Sequence, residues 1–195
     1  MKNTITLRNQ ANIVLYEADH ASLREAIEYC IEHNIALDGL MLERENLQAA
    51  NLDGWNVSKA TFKNCNLRHA NLSEAILIDC DFSGSDMTDT CLCYSDLLNC
   101  IFLDTELAKA DLSQAVVISP TFSKKAAKGA NFATLHKLHT PICPPYDYAI
   151  IHPIIDILKS TTNGILSKAI IFHKNISCSR NNKTRKNNTS CPGIG

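Results

Sequence analysis

Apolar residues recur at every fifth position of this chain from Leu37 to Phe122, with no polar exception. A period of five matches neither the 3.6-residue period of an amphipathic helix nor the two-residue alternation of a half-buried strand. It predicts a repeat protein in which short units stack along one axis. The apolar positions are Leu37, Leu42, Leu47, Leu52, Val57, Phe62, Leu67, Leu72, Leu77, Phe82, Met87, Leu92, Leu97, Phe102, Leu107, Leu112, Val117 and Phe122.

Each apolar centre has a small residue two positions before it in most units, and often Asn or Asp directly before it, as in Ala50-Asn51-Leu52 and Ala70-Asn71-Leu72. This pattern resembles the motif of the pentapeptide repeat family, A-(D/N)-L-x-x, over about residues 35–124. The resemblance implies an all-β solenoid, namely a right-handed quadrilateral β-helix with four five-residue units in each coil. It also implies that the centre and the small residue both point into the coil.

If four units make a coil, residues twenty apart stack at the spacing of neighbouring strands, about 4.8 Å. Sorting the eighteen centres by this period places all four of their phenylalanines, Phe62, Phe82, Phe102 and Phe122, in one column. Rings of one size would fill one wall of the interior evenly. The sorting therefore supports a coil of twenty residues independently of the motif.

The segments on either side of the repeats lack the five-residue period. Residues 1–34 are predicted to form a cap of two short strands and a helix over 22–33, because an open β-helix end exposes its core and unpaired strand edges. The β-helix itself is predicted over residues 35–134, about 4.5 coils. Residues 135–195 are predicted to be an irregular, partly disordered tail.

The tail has two segments that differ in composition. Its apolar segments lie within residues 146–172 and are too short to span a membrane, so no transmembrane segment is predicted. Residues 174–195 are rich in Asn, Lys and Ser and are predicted to be disordered.

Charge is distributed unevenly along the chain. Residues 35–122 carry 5 basic and 13 acidic side chains, a net charge of −8, whereas residues 123–195 carry 11 basic and 2 acidic side chains, a net charge of +9. This asymmetry suggests self-association or separate partners for each part, and it is also compatible with an ordinary solvated surface and tail. Nucleic acid is not favoured as a partner. The candidate acidic surface consists of Asp79, Asp81, Asp86, Asp89, Asp96, Asp104, Glu106 and Asp111.

The nine cysteines are interpreted as reduced thiols of a cytoplasmic protein, because their number is odd and no export signal is legible. Cys80 and Cys100 fall at the small inward position and are expected to fill the core rather than form a disulfide. Cys91 and Cys93 flank the inward Leu92 and should face outward. Since no His or third Cys shares their column, the sequence predicts no metal site and no cofactor.

One group of outward positions is apolar where the rest are mainly polar. Such a contiguous patch typically marks an interface. Docking of the tail segment 146–172 and a homodimer or partner surface both explain it, and docking is favoured because the apolar tail residues need burial. The predicted interaction patch consists of Ile76, Ile78, Leu98, Ile101, Leu103, Val116 and Ile118.

Catalytic motifs are missing from the sequence: it has no G-x-S-x-G, no H-E-x-x-H and no glycine-rich phosphate loop. The chain is therefore predicted to be a non-enzymatic scaffold for protein–protein interaction, with a partner that the sequence does not identify. The family resemblance implies two alternatives. One is a DNA mimic that binds DNA gyrase, from which this chain departs in its short rod, its cap and its basic tail. The other is a bacterial or prophage-encoded effector, secreted by a signal that is not legible here.

Overall fold

The repeat region is a β-solenoid, as the five-residue period predicts. A computed structural model describes residues 3–139; the tail segments 146–172 and 174–195, for which the sequence analysis makes predictions, lie outside these residues. The strands of the coils are β3 Met41–Glu43, β4 Asn56–Ser58, β5 Thr61–Lys63, β6 Ile76–Ile78, β7 Asp96–Leu98, β8 Ile101–Phe102, β9 Val116–Ile118, β10 Thr121–Phe122 and β11 Lys137–His139.

Before the first coil, the chain forms the predicted strand and helix cap. Strands β1 Asn3–Arg8 and β2 Val14–His20 pair antiparallel, and helix α1 spans Leu23–Glu32. The Ser22 side chain begins the helix by accepting a hydrogen bond from the Glu25 amide at 3.1 Å. The Glu25 carboxylate in turn accepts the amide hydrogen of Ala21, the residue before the N-cap, so the two bonds tie the entering chain to the first turn of the helix.

The cap sits directly on the first coil. Ala26, Ile27 and Cys30 of α1 are fully buried, and Ile27 and Cys30 belong to the same apolar core as the repeat centres. On the outer side of the helix, the Glu28 carboxylate accepts a hydrogen bond from the Asn51 amide at 2.7 Å. The helix therefore covers the core that the end of a solenoid would otherwise expose to water.

Strands of successive coils pair in parallel with an offset of twenty residues, which confirms the coil length predicted from the sequence. Val57 lies beside Leu77, Leu77 beside Leu97, and Leu97 beside Val117. We name the four faces of the coil after one inward centre of each. They are the Leu77 face (Val57, Leu77, Leu97, Val117), the Phe82 face (Phe62, Phe82, Phe102, Phe122), the Met87 face (Leu47, Leu67, Met87, Leu107) and the Leu92 face (Leu52, Leu72, Leu92, Leu112).

The predicted phenylalanine column is present and its rings are stacked. Ring centroids lie 4.9 Å apart between Phe62 and Phe82, 5.4 Å between Phe82 and Phe102, and 5.0 Å between Phe102 and Phe122, with interplanar angles of 13° or less. The edges of Trp55 and Phe132 meet the first and last rings of the stack. Aromatic packing therefore runs through the whole length of one wall.

The residue two positions after each centre turns the corner of the coil in the left-handed backbone conformation. Every fifth residue from 44 to 119 has φ between 53° and 72°. The Asn or Asp before the centre stabilises the turn, because its side-chain oxygen accepts the amide hydrogen two residues later, as Asp81 does from Ser83 at 2.9 Å. Local hydrogen bonding thus explains why this position favours Asn and Asp.

At the far end, the chain leaves the five-residue pattern before resuming strand pairing. Helix α2 spans Lys124–Gly129, within the range expected from the sequence to form the last coil, and buries Ala126 and Ala127. A 3-10 turn, Phe132–Thr134, follows, and β11 then pairs with β9 at an offset of 21 residues. Within residues 3–139, no helix has both the length and the apolar content needed to cross a membrane.

Candidate interaction surfaces

The seven residues of the predicted interaction patch lie on two adjoining faces of the solenoid. Ile78, Leu98 and Ile118 are direct neighbours in the parallel ladder and form an unbroken outward stripe on the Leu77 face. Ile76 and Val116 lie on the second outward row of that face, with Asp96 between them. The stripe arises because the coil period places the same outward position of three consecutive coils one strand spacing apart.

Two further residues extend this patch around the corner. Ile101 and Leu103 flank the inward Phe102 on the Phe82 face. Leu103 and Ile76 are the most exposed members, each with 39% of its surface accessible, while the other five are half-buried. We refer to all seven residues as the apolar patch.

Strand β11 borders the apolar patch at its far end. Its residues Lys137 and Leu138 pair with Val116 and Val117. The chain therefore leaves the described region along the same sheet that carries the stripe.

The eight predicted acidic residues do not form one surface. Asp96 lies on the Leu77 face, Asp81 on the Phe82 face, and Asp111 on the Leu92 face, while Asp86 and Glu106 are paired in successive coils of the Met87 face. The remaining three occupy corners with positive φ, namely Asp79, Asp89 and Asp104. The negative charge of the eight acidic residues is thus distributed around the whole perimeter of the coil.

Half of these carboxylates also have a basic neighbour. The pairs are Lys63 with Asp81 at 2.9 Å, Arg68 with Asp86 at 3.3 Å, Lys125 with Glu106 at 3.5 Å and His69 with Asp89 at 3.9 Å. Burial raises the pKa of the Asp81 carboxyl, but the hydrogen bonds from Ser83 and Lys63 outweigh it, so its pKa is below the usual value. The local interactions of Asp81 therefore stabilise its ionised form.

Cys80 and Cys100 are buried free thiols. The Cys100 Sγ lies 3.3 Å from the carbonyl oxygen of Leu77, and the Cys80 Sγ lies 3.7 Å from that of Val57. A hydrogen bond with Cys80, together with burial, raises the pKa of the Cys100 thiol. The same hydrogen bond lowers the pKa of the Cys80 thiol. Both thiols are nevertheless fully buried and fill the core.

Cys91 and Cys93 project outward from the Leu92 face, and the structure adds a third group beside them. The two Sγ atoms lie 2.9 Å apart, and a carboxylate oxygen of Asp111 lies within 4.8 Å of both. Asp111 is the ladder neighbour of Cys91 in the next coil. The prediction of no metal site rests on the lack of His or a third Cys in this column, whereas the twenty-residue offset from 91 to 111 is the signal for the carboxylate.

The cap carries a cleft that sequence reasoning missed. Tyr16 and His20 of β2 and Tyr29 of α1 form its aromatic wall, and the Tyr16 hydroxyl lies 2.8 Å from the His20 Nε2. Asp19 and three glutamates of α1, Glu25, Glu28 and Glu32, line the remainder of this cleft of about 470 Å³. The spacing of four between Tyr16 and His20 on a strand was the available signal, since it places both on one face.

Comparisons with solved structures give partial similarities. A pentapeptide repeat protein from the thylakoid lumen of Arabidopsis thaliana is 28% identical, with a TM-score of 0.29, over 40% of this chain and 63% of that one. HetL, a pentapeptide repeat protein involved in heterocyst differentiation regulation in the cyanobacterium Nostoc, is also 28% identical, with a TM-score of 0.28, over 52% of this chain and 45% of that one. QnrB1, a plasmid-mediated fluoroquinolone resistance protein, is 18% identical, with a TM-score of 0.31, over 53% of this chain and 72% of that one.

The chain thus spans less than two thirds of the length of the first two of these proteins. Among curated proteins, none matches it. A family model described as pentapeptide repeats matches eight copies over residues 46–84, 58–92 and 80–116. These are the residues in which the structure shows the twenty-residue ladder and the inward column of centres. The repeat region of this chain therefore belongs to the pentapeptide repeat family.

Proposed function

We propose that this protein is a non-enzymatic scaffold that binds a protein segment, and that the apolar patch is the surface it uses. The observation that supports this proposal is the outward stripe of Ile78, Leu98 and Ile118 on three successive coils. Burying half-exposed aliphatic side chains of this kind contributes about 25 cal/mol for each Å² removed from water. A rigid sheet presents these side chains without an entropic cost of ordering its own backbone.

The acidic residues support this choice of surface over a DNA-like one. A mimic of duplex DNA needs a dense, continuous row of unpaired negative charge. Here the carboxylates are spread over four faces, and Asp81, Asp86 and Glu106 have a Lys or Arg neighbour. These features favour an apolar contact over binding of DNA gyrase.

The occupant that we propose for the apolar patch is residues 146–172 of the same chain. Strand β11 ends at His139 beside the stripe, and 56 residues follow it in the sequence, including the apolar stretch 146–158. A short connection from position 139 suffices to return this stretch to the same face. The tail would then shield the apolar patch until a partner displaces it.

A site-specific photo-cross-linker tests this proposal in the full-length chain. We expect benzoylphenylalanine at position 98 to cross-link within the chain to residues 146–172, identified by mass spectrometry of the tryptic peptides. The matched control is the same group at position 94, because Tyr94 is 65% exposed at a corner outside the apolar patch. Cross-links from position 98 to a second copy or to another protein would show that this partner, and not the tail, occupies the apolar patch. If position 98 gives no cross-link beyond the position-94 background, the binding role of the patch is overturned.

The compartment that we propose is the cytosol. The six cysteines within the described residues are free thiols, which is typical of proteins in a reducing environment.

A further inference from the structure

We propose that Cys91, Cys93 and Asp111 form a binding site for a thiophilic divalent cation of the zinc class on the Leu92 face. This site is separate from the apolar patch and is not needed for the proposed scaffold function. It consists of two sulfur ligands from one five-residue unit and one oxygen ligand from the next coil.

The backbone of the solenoid holds the three ligands in place. Cys91 and Cys93 flank the buried Leu92, so both side chains emerge on the same side of the coil. The Leu92 amide donates to the carbonyl of Asp111 at 2.7 Å, and the Asp111 amide donates to the carbonyl of Thr90 at 2.9 Å. These ladder hydrogen bonds fix the spacing between the two coils, and therefore between the thiols and the carboxylate.

The side-chain geometry suits a tetrahedral ion after small rotations. Two thiolates bound to one zinc ion at about 2.3 Å lie about 3.8 Å apart, compared with 2.9 Å between the present Sγ atoms. Each thiol is placed by a single side-chain torsion, so this separation opens without movement of the backbone. The carboxylate and both sulfurs already lie within 4.8 Å of one another, and the fourth position faces solvent.

The carboxylate is oriented by a second residue. The Ser113 amide donates to the Asp111 Oδ1 at 2.9 Å, the same turn-capping bond that other units of the coil make. A carboxylate held in this way retains a second oxygen for a metal ion, and such outer hydrogen bonds are typical of metal sites. Three defined ligands of mixed sulfur and oxygen type favour zinc over magnesium or calcium, which prefer oxygen alone.

A disulfide between Cys91 and Cys93 is the competing explanation of the short sulfur contact. The observed 2.9 Å is well beyond the bond length of about 2.05 Å. A disulfide would also leave Asp111 without a role, whereas a metal ion uses all three groups.

The test is metal binding by the reduced full-length protein, with Zn²⁺ and Co²⁺ as the probes. We expect Co²⁺ to produce thiolate-to-cobalt charge-transfer absorption and Zn²⁺ to displace it. Cys143, Cys178 and Cys191 lie outside the described residues, so the measurements use a Cys143→Ser, Cys178→Ser, Cys191→Ser background as well as the natural chain. Any signal that disappears in this background does not come from the proposed site.

Two variants then identify the ligands. We expect Cys93→Ser to abolish the charge-transfer band and Asp111→Asn to weaken Zn²⁺ binding by at least about tenfold, with unchanged circular dichroism. The matched control is Asp96→Asn, because Asp96 holds the equivalent position on the Leu77 face without neighbouring thiols. Equal affinity of Asp111→Asn and Asp96→Asn for Zn²⁺, or no Zn²⁺ binding by the reduced protein, would overturn the proposal.

Discussion

The corner residue of each unit has a backbone conformation that L-amino acids adopt at a cost. Only two of the sixteen corners between residues 44 and 119 are glycine, namely Gly54 and Gly84. Each of the others loses about 1 kcal/mol or more relative to a right-handed conformation. The turn hydrogen bonds and the ladder bonds of the neighbouring coil offset this loss.

The two glycines provide a matched test of what a corner tolerates. We expect Gly54→Ala to lower the free energy of unfolding by about 1 kcal/mol, since a Cβ there meets nothing within 4 Å and only the backbone penalty applies. Gly84→Ala should cost about 1 kcal/mol more, because its Cβ would overlap the Asn64 Oδ1. Urea unfolding followed by circular dichroism measures both.

The double variant Asn64→Ala, Gly84→Ala separates the two causes. Removal of the amide should bring the cost of Gly84→Ala back to that of Gly54→Ala. If the single variants at 54 and 84 lose equal stability, the contact with Asn64 has no energetic role.

The inward small residues show where sequence reasoning was incomplete at this scale. Their position inside the coil follows from the five-residue period, but the period does not reveal their hydrogen bonds. The Thr90 hydroxyl donates to the carbonyl of Leu67 at 2.9 Å, and the Thr105 hydroxyl donates to that of Phe82. Both bonds join residues 23 positions apart, so they are recognised only when the coils are stacked in the three-dimensional structure. They explain how a buried hydroxyl is accommodated in an otherwise apolar core.

At the scale of the elements, the phenylalanine stack stabilises one wall through contacts between rings of neighbouring coils. Each inner ring contacts two others, so its removal affects both neighbouring coils. Stability in a solenoid is approximately the sum of each coil and its interfaces with adjacent coils. Substitution of one ring should therefore destabilise its own coil and the two adjacent coils, and affect distant coils much less.

Phe82 is the ring to change, because it lies between Phe62 and Phe102. We expect Phe82→Leu to destabilise the protein by about 1–3 kcal/mol through lost ring contacts, and Phe82→Ala by about 3–5 kcal/mol through the added cavity. Hydrogen exchange should accelerate in the coils around residues 62–102 and much less in α1. Uniform acceleration that includes the cap would contradict the local behaviour expected of a solenoid.

The elements also differ in how far the sequence predicts them. The coils follow from a pattern that repeats many times, and α1 follows from Ser22 and an apolar helical face. Helix α2 was missed, because Ser123 and two alanines within a run of lysines give only a weak signal over six residues. Asp111 beside the two thiols was missed for a different reason, since it joins them only through the offset between coils.

For the whole molecule, two electrostatic effects predict opposite responses to acid. The net charge of −8 on residues 35–122 produces repulsion that protonation would relieve. The hydrogen bonds and ion pairs of individual carboxylates have the opposite effect, because protonation weakens them. In Asp111, the hydrogen bonds from Ser113 lower the pKa of the carboxyl, and in Asp86 the hydrogen bonds from Thr88 and Arg68 outweigh the effect of burial and do the same.

We expect the local bonds to dominate at physiological ionic strength, where repulsion beyond about 8 Å is screened. A carboxyl whose pKa is lower in the folded state stabilises the fold above its unfolded pKa, and this stability is lost as the pH falls through the folded value. The urea midpoint should therefore fall as the pH decreases from about 5 towards 2. Lys63→Met should reduce this fall, because Lys63 is one of the groups that lower the pKa of Asp81. A midpoint that rises on acidification at 0.15 M salt would show that long-range repulsion outweighs the turn hydrogen bonds and ion pairs. Repeating the titration at low salt should increase the contribution of this repulsion.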